Sequence, residues 1–196
     1  MERQAGTRDR ILAESMRLFW EHGYERTAIS DIIGAAGVRS GSLYHFFKTK
    51  EELLIAVLET YLDGLAPQVM DPAFAATPDP LERVFAVLDG YRRAILVTDF
   101  RYRCPIGSLA LEMQNASDRA RALVHRNFSG WRDAIARCVR DAIPGLREDV
   151  DPDSLATFVL TVMEGAVMQA TAERAIERYD DSVRHLRAYF DSLKRS

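Results

Sequence analysis

The stretch "GVRSGSLYHFFKTKEEL", residues 37–53, decides how the chain is read. Glycine and serine come first, then an aromatic cluster with one histidine, then two lysines ahead of an acidic pair. Gly37 supplies a turn, and Arg39 to about Phe46 reads as a short helix. Just upstream, another short helix begins after Thr27 and carries Ile29, Ile32 and Ile33 inward. Helix, turn and helix at this spacing predict a unit whose second helix enters the DNA major groove, its N-terminal residues at base edges. Small residues Ser40, Gly41 and Ser42 then let the backbone approach DNA closely, and their hydroxyls and N–H groups bond phosphate oxygens. Tyr44 offers a hydroxyl to a phosphate, and His45 reaches a base edge or phosphate. Lys48 and Lys50 add the sequence-independent attraction that dominates affinity and falls with salt.

Working outward, the pattern stays helical. Ile11, Leu12, Ser15, Leu18 and Phe19 share one face of a first helix, with Thr7 as N-cap and Gly23 at a left-handed C-terminal cap. Thr49 caps a helix from Lys50 to about Val69, its first turn carrying Glu51 and Glu52 against the helix dipole. "MDPAFAATPDP", residues 70–80, holds three prolines and reads as a linker. Further helices are expected at 80–98, 105–115, 116–142, 152–174 and 180–194. No strand alternation or internal repeat appears. The fold is therefore all-α with about nine helices: a three-helix head over residues 1–50 and a larger helical body over 51–196.

Composition sets wider bounds. Of 196 residues, 47% are hydrophobic and 28% charged, ordinary for a globular protein that buries a good core. Net charge is −3, yet residues 1–50 carry 8 Lys+Arg against 6 Asp+Glu and the remainder 18 against 23. A basic head on an acidic body suits nucleic-acid contact at the head. The first residues mix charge into apolar positions, unlike a secretory signal, and no apolar run approaches a bilayer span, so no membrane partner is expected. Cys104 and Cys138 form no CxxC pair, and His22, His125 and His185 lack ligand spacing. No metal or cofactor is proposed, and the expected location is a reducing cytoplasm.

From Thr7 to Leu54 the chain resembles the N-terminal domain of the TetR family of bacterial transcriptional repressors. "ILAESMRLFWEHGYERTAISDI" (11–32) and "AGVRSGSLYHFFKTKEELL" (36–54) carry the resemblance, through Gly23-Tyr24, Ile32, Gly37-Val38, Gly41 to His45, Phe47 and Lys50-Glu51. It implies a cytoplasmic homodimer, nucleoid-associated when DNA-bound, with two helix-turn-helix heads on operator DNA and a small-molecule effector pocket in each body. Carried over position by position, DNA contacts fall on Thr27, Ser40, Gly41, Ser42, Tyr44, His45 and Lys50, with Arg39 and Lys48 added. Leu43 and Phe47 map to positions that hold the recognition helix against helix 1. Ala28, Ile33, Gly34 and Phe46 depart from the family pattern. Dimerisation is implied through 152–174 and 180–194, whose apolar stripes exceed what one body buries.

In the body, Phe85, Tyr91, Phe100, Tyr102, Met113, Phe128, Trp131, Phe158 and Met163 suit a largely apolar ligand cavity as well as they suit core. Glu164, inside "LTVMEGAVMQA", is either a polar group of that cavity or a partner of Arg174 or solvent. Cys104 sits near Arg101 and Arg103, which would favour a reactive thiol, but free cysteines are commonly inert and buried. The expected function is a dimeric regulator released from its operator by a small apolar ligand. The alternatives are a constitutive DNA-binding dimer and a helical enzyme using Cys104, for which no base is recognisable, so no catalytic activity is expected.

Overall fold

The computed structural model describes residues 6–195, and their fold is all-α as expected. The head comprises α1 (Thr7–His22), α2 (Ile29–Ala36) and α3 (Ser40–Phe46). Helix α4 (Lys50–Gly64) runs through a π-helical turn (Leu65–Met70) into α5 (Asp71–Ala75). Then come α6 (Pro80–Val97), α7 (Pro105–Ala110), a 3-10 turn (Met113–Asn115), α8 (Asp118–Ala142), α9 (Pro152–Glu173) and α10 (Ile176–Ser192).

Four local expectations need revision. Gly6, not Thr7, is the N-cap of α1, and Thr7 is its first helical residue. Gly23 has φ 88° but ψ 160°, so it leaves the helix by an extended turn rather than a left-handed helical one. The proline-rich linker shrinks to the few residues around Thr77, because α5 places Pro72 in its first turn, where no N–H is needed. Pro67 lies inside the preceding π turn, whose wider register tolerates the missing donor, and the Asp71 N–H reaches back to the Ala66 carbonyl. Finally, α10 starts four residues early, at Ile176.

The compact units are not consecutive in sequence. One comprises the chain up to Asp63 together with Pro105–Asn127; the other comprises Gly64–Cys104 and Phe128–Ser196. In the first, Ile11, Leu18 and Phe19 of α1, Ile32 of α2, Leu43 of α3 and the run Leu53–Leu58 of α4 are buried. In the second, α9 and α10 pair most extensively, over a core that includes Val84 and Leu88 of α6, Ile135 and Val139 of α8, Val159, Met163 and Val167 of α9, and Leu186 and Phe190 of α10. Phe158 and Met168 of α9 and Tyr189 of α10 stay exposed, so this helix pair keeps large apolar side chains outward.

Candidate nucleic-acid interface and body cavity

The turn between α2 and α3 follows from its residues. Gly37 takes the left-handed conformation (φ 62°, ψ 41°), which glycine adopts without side-chain strain. The N–H of Val38 then reaches the Ile33 carbonyl (3.2 Å) and that of Gly37 the Gly34 carbonyl (3.2 Å), a Schellman closure. At the other end of α2, Ala28 brings no capping side chain, but the Asp31 carboxylate accepts the Ala28 N–H at 3.0 Å.

Helix α3 divides cleanly. Leu43 and Phe47 are buried and hold the helix against α1, with the Arg8 guanidinium 5.4 Å from the Phe47 ring centroid. Arg39, Ser40, Gly41, Tyr44, His45 and Phe46 are exposed, and Ser42 is half-buried. Tyr44 is 44% exposed, while the His45 and Phe46 rings meet edge to face at 4.9 Å. The helix therefore offers small and hydrogen-bonding groups on a surface fixed from beneath by two apolar anchors.

Both lysines are positioned by this unit. The Lys48 ammonium donates to the Tyr44 carbonyl at 2.8 Å, closing the C-terminus of α3. The Lys50 ammonium donates to the Glu25 carbonyl at 3.2 Å and lies 4.4 Å from the Tyr24 ring centroid. Thr49 caps α4 as expected, its hydroxyl accepting the Glu52 N–H at 3.1 Å. Thr27 is corrected: at 1% exposure its hydroxyl is spent on the Gly23 carbonyl (2.7 Å), so it pins the α1–α2 turn and presents no side chain to DNA.

Sequence reasoning missed the carboxylates that brace the same unit. Glu112 accepts the Glu25 N–H at 2.7 Å, and Glu51 accepts the Ser117 N–H at 3.0 Å. Hydrogen bonds from Ser117, its side chain first and then its N–H, hold the Glu51 carboxyl below its ordinary range. Asn127 is buried and donates to the carbonyls of Leu58 (3.1 Å) and Leu123 (2.9 Å). Partners 66 to 87 residues apart leave no local signature.

In the second unit, the expected pocket residues separate. Tyr91 and Tyr102 lie together with centroids 6.1 Å apart, and Trp131 Nε1 donates to the Tyr91 hydroxyl at 3.0 Å. Both tyrosines flank a cavity of about 340 Å³ whose walls include Val69, Ala86 and Val87. Burial, and then the charge of Cys104 for Tyr91 and of Tyr91 for Tyr102, pushes both phenols far above their ordinary range. Glu164 belongs to the same charge neighbourhood; burial pushes its carboxyl up, partly offset by a hydrogen bond from the Cys104 thiol. Cys138 is buried in the core, which pushes its thiol up as well.

The remaining candidates go elsewhere. Phe158 is corrected: it is 45% exposed on the outer face of α9, its ring edge-to-face with Tyr189 of α10 at 5.7 Å. Phe85 packs against Phe190 (5.4 Å) beneath the Arg187 guanidinium (3.8 Å) and lines a different, charged groove. Met163 is buried core and Phe128 packs half-buried against it. Met113 belongs to the other unit. Phe100 is half-buried under Arg174, at 5.7 Å.

Phe100 also marks a strained corner. Asp99, Phe100 and Arg174 have φ of 51°, 58° and 52°, and among the described residues no other non-glycine has positive φ. They meet one another, since Arg174 donates to the Asp99 carboxylate at 2.9 Å. Past this corner the Thr98 hydroxyl accepts the Tyr102 N–H (2.9 Å) and the Thr171 hydroxyl donates to the Tyr102 carbonyl (2.8 Å). Such strain costs about 1–3 kcal/mol per residue and persists only where surroundings over-determine it. Here it delivers Tyr102 to the cavity.

A helix-turn-helix with an exposed second helix, joined to an all-helical body, defines a class of DNA-binding regulator. Residues 11–57 match the family described as bacterial regulatory proteins, tetR family, and residues 80–186 match the tetracyclin repressor-like C-terminal domain. The chain belongs to the TetR family and is a DNA-binding transcriptional regulator. It is 30% identical over 175 residues to the HTH-type transcriptional repressor DhaR of Mycobacterium sp. strain GP1, covering 88% of this chain and 86% of that one. A regulator of Mycobacterium tuberculosis is 31% identical over 188 residues, 93% of each chain. The solved structure of a TetR transcriptional regulator from Chloroflexus aurantiacus superposes with a TM-score of 0.84 at 29% identity, covering 96% of each.

Proposed function

We propose that the chain is a homodimeric repressor that a small, largely apolar ligand releases from a near-palindromic operator. The observation that carries the DNA reading is the two-sidedness of α3: Ser40, Gly41, Tyr44 and His45 exposed above buried Leu43 and Phe47. Arg39, Ser40, Gly41, Ser42, Tyr44, His45, Lys48 and Lys50 are the contacting set; Thr27 acts through the turn it holds. Two such helices bind successive major grooves roughly 34–36 Å apart.

The dimer reading rests on α9 and α10. Phe158, Met168 and Tyr189 are exposed there, and a groove over Val162, Gly165, Ala166 and Leu186 runs between the two helices. A second copy presenting the same apolar face would cover it in an isologous interface. The ligand reading rests on the Tyr91–Tyr102 cavity and the strained corner beside it. A ligand preferring one arrangement of that corner shifts the operator equilibrium by its differential affinity for the two states.

The test uses duplex DNA from the region flanking the gene, in a fluorescence anisotropy titration with the full chain. The expected result is a dimer by light scattering that binds one inverted repeat. Tyr44→Ala should weaken binding about 10-fold or more without moving the melting temperature. Binding unaffected by Tyr44→Ala would sink the interface. A monomer at micromolar concentration would sink the dimer. Operator binding insensitive to a broad apolar library would leave a constitutive binder.

A further inference from the structure

We propose that Glu112 is a positioning residue for operator binding: through the Glu25 backbone it holds the Lys50 ammonium where a DNA phosphate meets it. This rests on the Lys50–DNA contact proposed above and adds the group that sets it.

Two long-range contacts meet at Glu25. This residue lies in the turn between α1 and α2, whose ends are tied by the Thr27 hydroxyl donating to the Gly23 carbonyl (2.7 Å). The Glu25 N–H has no backbone acceptor among the described residues; the Glu112 carboxylate takes it at 2.7 Å, a short, charge-assisted bond. The Glu25 carbonyl accepts the Lys50 ammonium at 3.2 Å. One residue of the turn is thus gripped at its N–H from position 112 and at its carbonyl from position 50. The grip is close: a Cβ on Gly23 would stand 2.6 Å from a Glu112 carboxylate oxygen, so the turn approaches that carboxylate as only glycine permits. Glu112 reaches the turn from 87 residues downstream, on the segment that follows α7, and α7 itself packs on α1.

The surroundings of Lys50 show why its place matters. Its ammonium also lies 4.4 Å from the Tyr24 ring centroid, and that ring is fixed edge to face on buried Phe19 at 5.2 Å. Neither a carbonyl nor a ring carries a full charge, and among the described residues no carboxylate pairs with Lys50. The ammonium is therefore aimed without being neutralised, and it keeps donors for a phosphate oxygen. Holding it in place beforehand lowers the ordering cost of that contact. Removing the Glu112 carboxylate leaves the Glu25 N–H without its acceptor, loosens the turn and frees the carbonyl that anchors Lys50.

The experiment titrates duplex DNA from the region flanking the gene with the full-length chain, by fluorescence anisotropy across a salt series and below the melting temperature of every variant. Lys50→Ala should weaken binding about 10-fold and lower the slope of log affinity against log salt by about 1, as one lost phosphate contact does. Glu112→Ala should weaken binding about 3-fold or more and lower the slope in the same direction. In the Lys50→Ala background its effect should shrink below about 2-fold, because both residues act through one contact. Glu112→Gln, whose amide oxygen still accepts the N–H, should stay within about 2-fold of wild type. Glu112→Asp keeps the charge but is one methylene short; it should behave like Glu112→Ala, and it carries the test should alanine perturb folding. Wild-type affinity and slope in Glu112→Ala and Glu112→Asp overturn the proposal. So does an effect of equal size with and without Lys50, which would make Glu112 a brace of the fold alone. Binding that Tyr44→Ala weakens but Lys50→Ala leaves unchanged also overturns it, yet leaves the α3 interface standing; binding that neither weakens overturns both.

Discussion

The head and the body solve opposite problems with similar residues. In α3 the aromatic and polar groups face outward and two apolar side chains, Leu43 and Phe47, anchor the helix from below. In the body, Tyr91, Tyr102 and Glu164 are drawn inward, and apolar Phe158, Met168 and Tyr189 stay outside. Outward polar groups cost the fold little, and their energy is spent on a partner. Inward polar groups must be paired, strained into place or left short of a partner, and the body shows all three. Tyr91 is paired with Trp131, Tyr102 follows a strained corner, and Glu164 keeps an unmet oxygen. The contrast teaches where to look: a surface site declares itself by exposure, a buried polar group by how it is paired.

The contrast can be broken most forcefully from beneath α3. Leu43→Ala removes a side chain with no exposed surface and should cost about 2–5 kcal/mol, read as a fall in thermal stability with loss of operator binding. Operator affinity retained in Leu43→Ala would show that α3 does not depend on its anchor. Next comes the brace. Gly23 has φ 88°, and a Cβ there would stand 2.6 Å from a Glu112 carboxylate oxygen. Gly23→Ala should therefore cost about 1–3 kcal/mol in denaturant titration and disturb the Glu112–Glu25 bond.

The body should respond more mildly and with a pH signature. Burial raises the Glu164 carboxyl in the folded state, so the folded chain holds that proton more tightly than the unfolded chain. Its contribution is then most favourable at low pH and is lost as pH rises from the ordinary carboxylate range through the raised value. Relative to wild type, Glu164→Gln should gain stability with rising pH, by about 1 kcal/mol at neutrality. A pH-independent difference between the two melting temperatures would show that Glu164 is not held in this way. Smallest of all, Gly34→Ala in α2 meets open space and should stabilise the head by about 0.4–1 kcal/mol.

Legibility followed sequence distance. The head was readable because every determinant lies within a few residues: Gly37 for the turn, Leu43 and Phe47 for the buried side, Thr49 for the next cap. Thr27 misled because a threonine beside a helix start suits a phosphate contact and a buried pin equally well. Only its bond to the Gly23 carbonyl distinguishes them. Phe158 misled because an aromatic residue on a strongly apolar helix reads as interior, whereas α9 has more apolar surface than one chain covers. The proline-rich stretch concealed a helix because prolines in a first turn or a π turn cost little.

By itself the sequence determined the helical character and the helix-turn-helix, because hydrophobic period and turn chemistry act over one or two turns; the family resemblance implied which side of α3 is anchored. Tertiary structure alone decided that Glu112 and Glu51 brace the head and that Tyr91 and Tyr102 flank one cavity. Those arrangements arise from burial and hydrogen bonding between residues some ten to nearly ninety positions apart, where no local pattern constrains which groups meet.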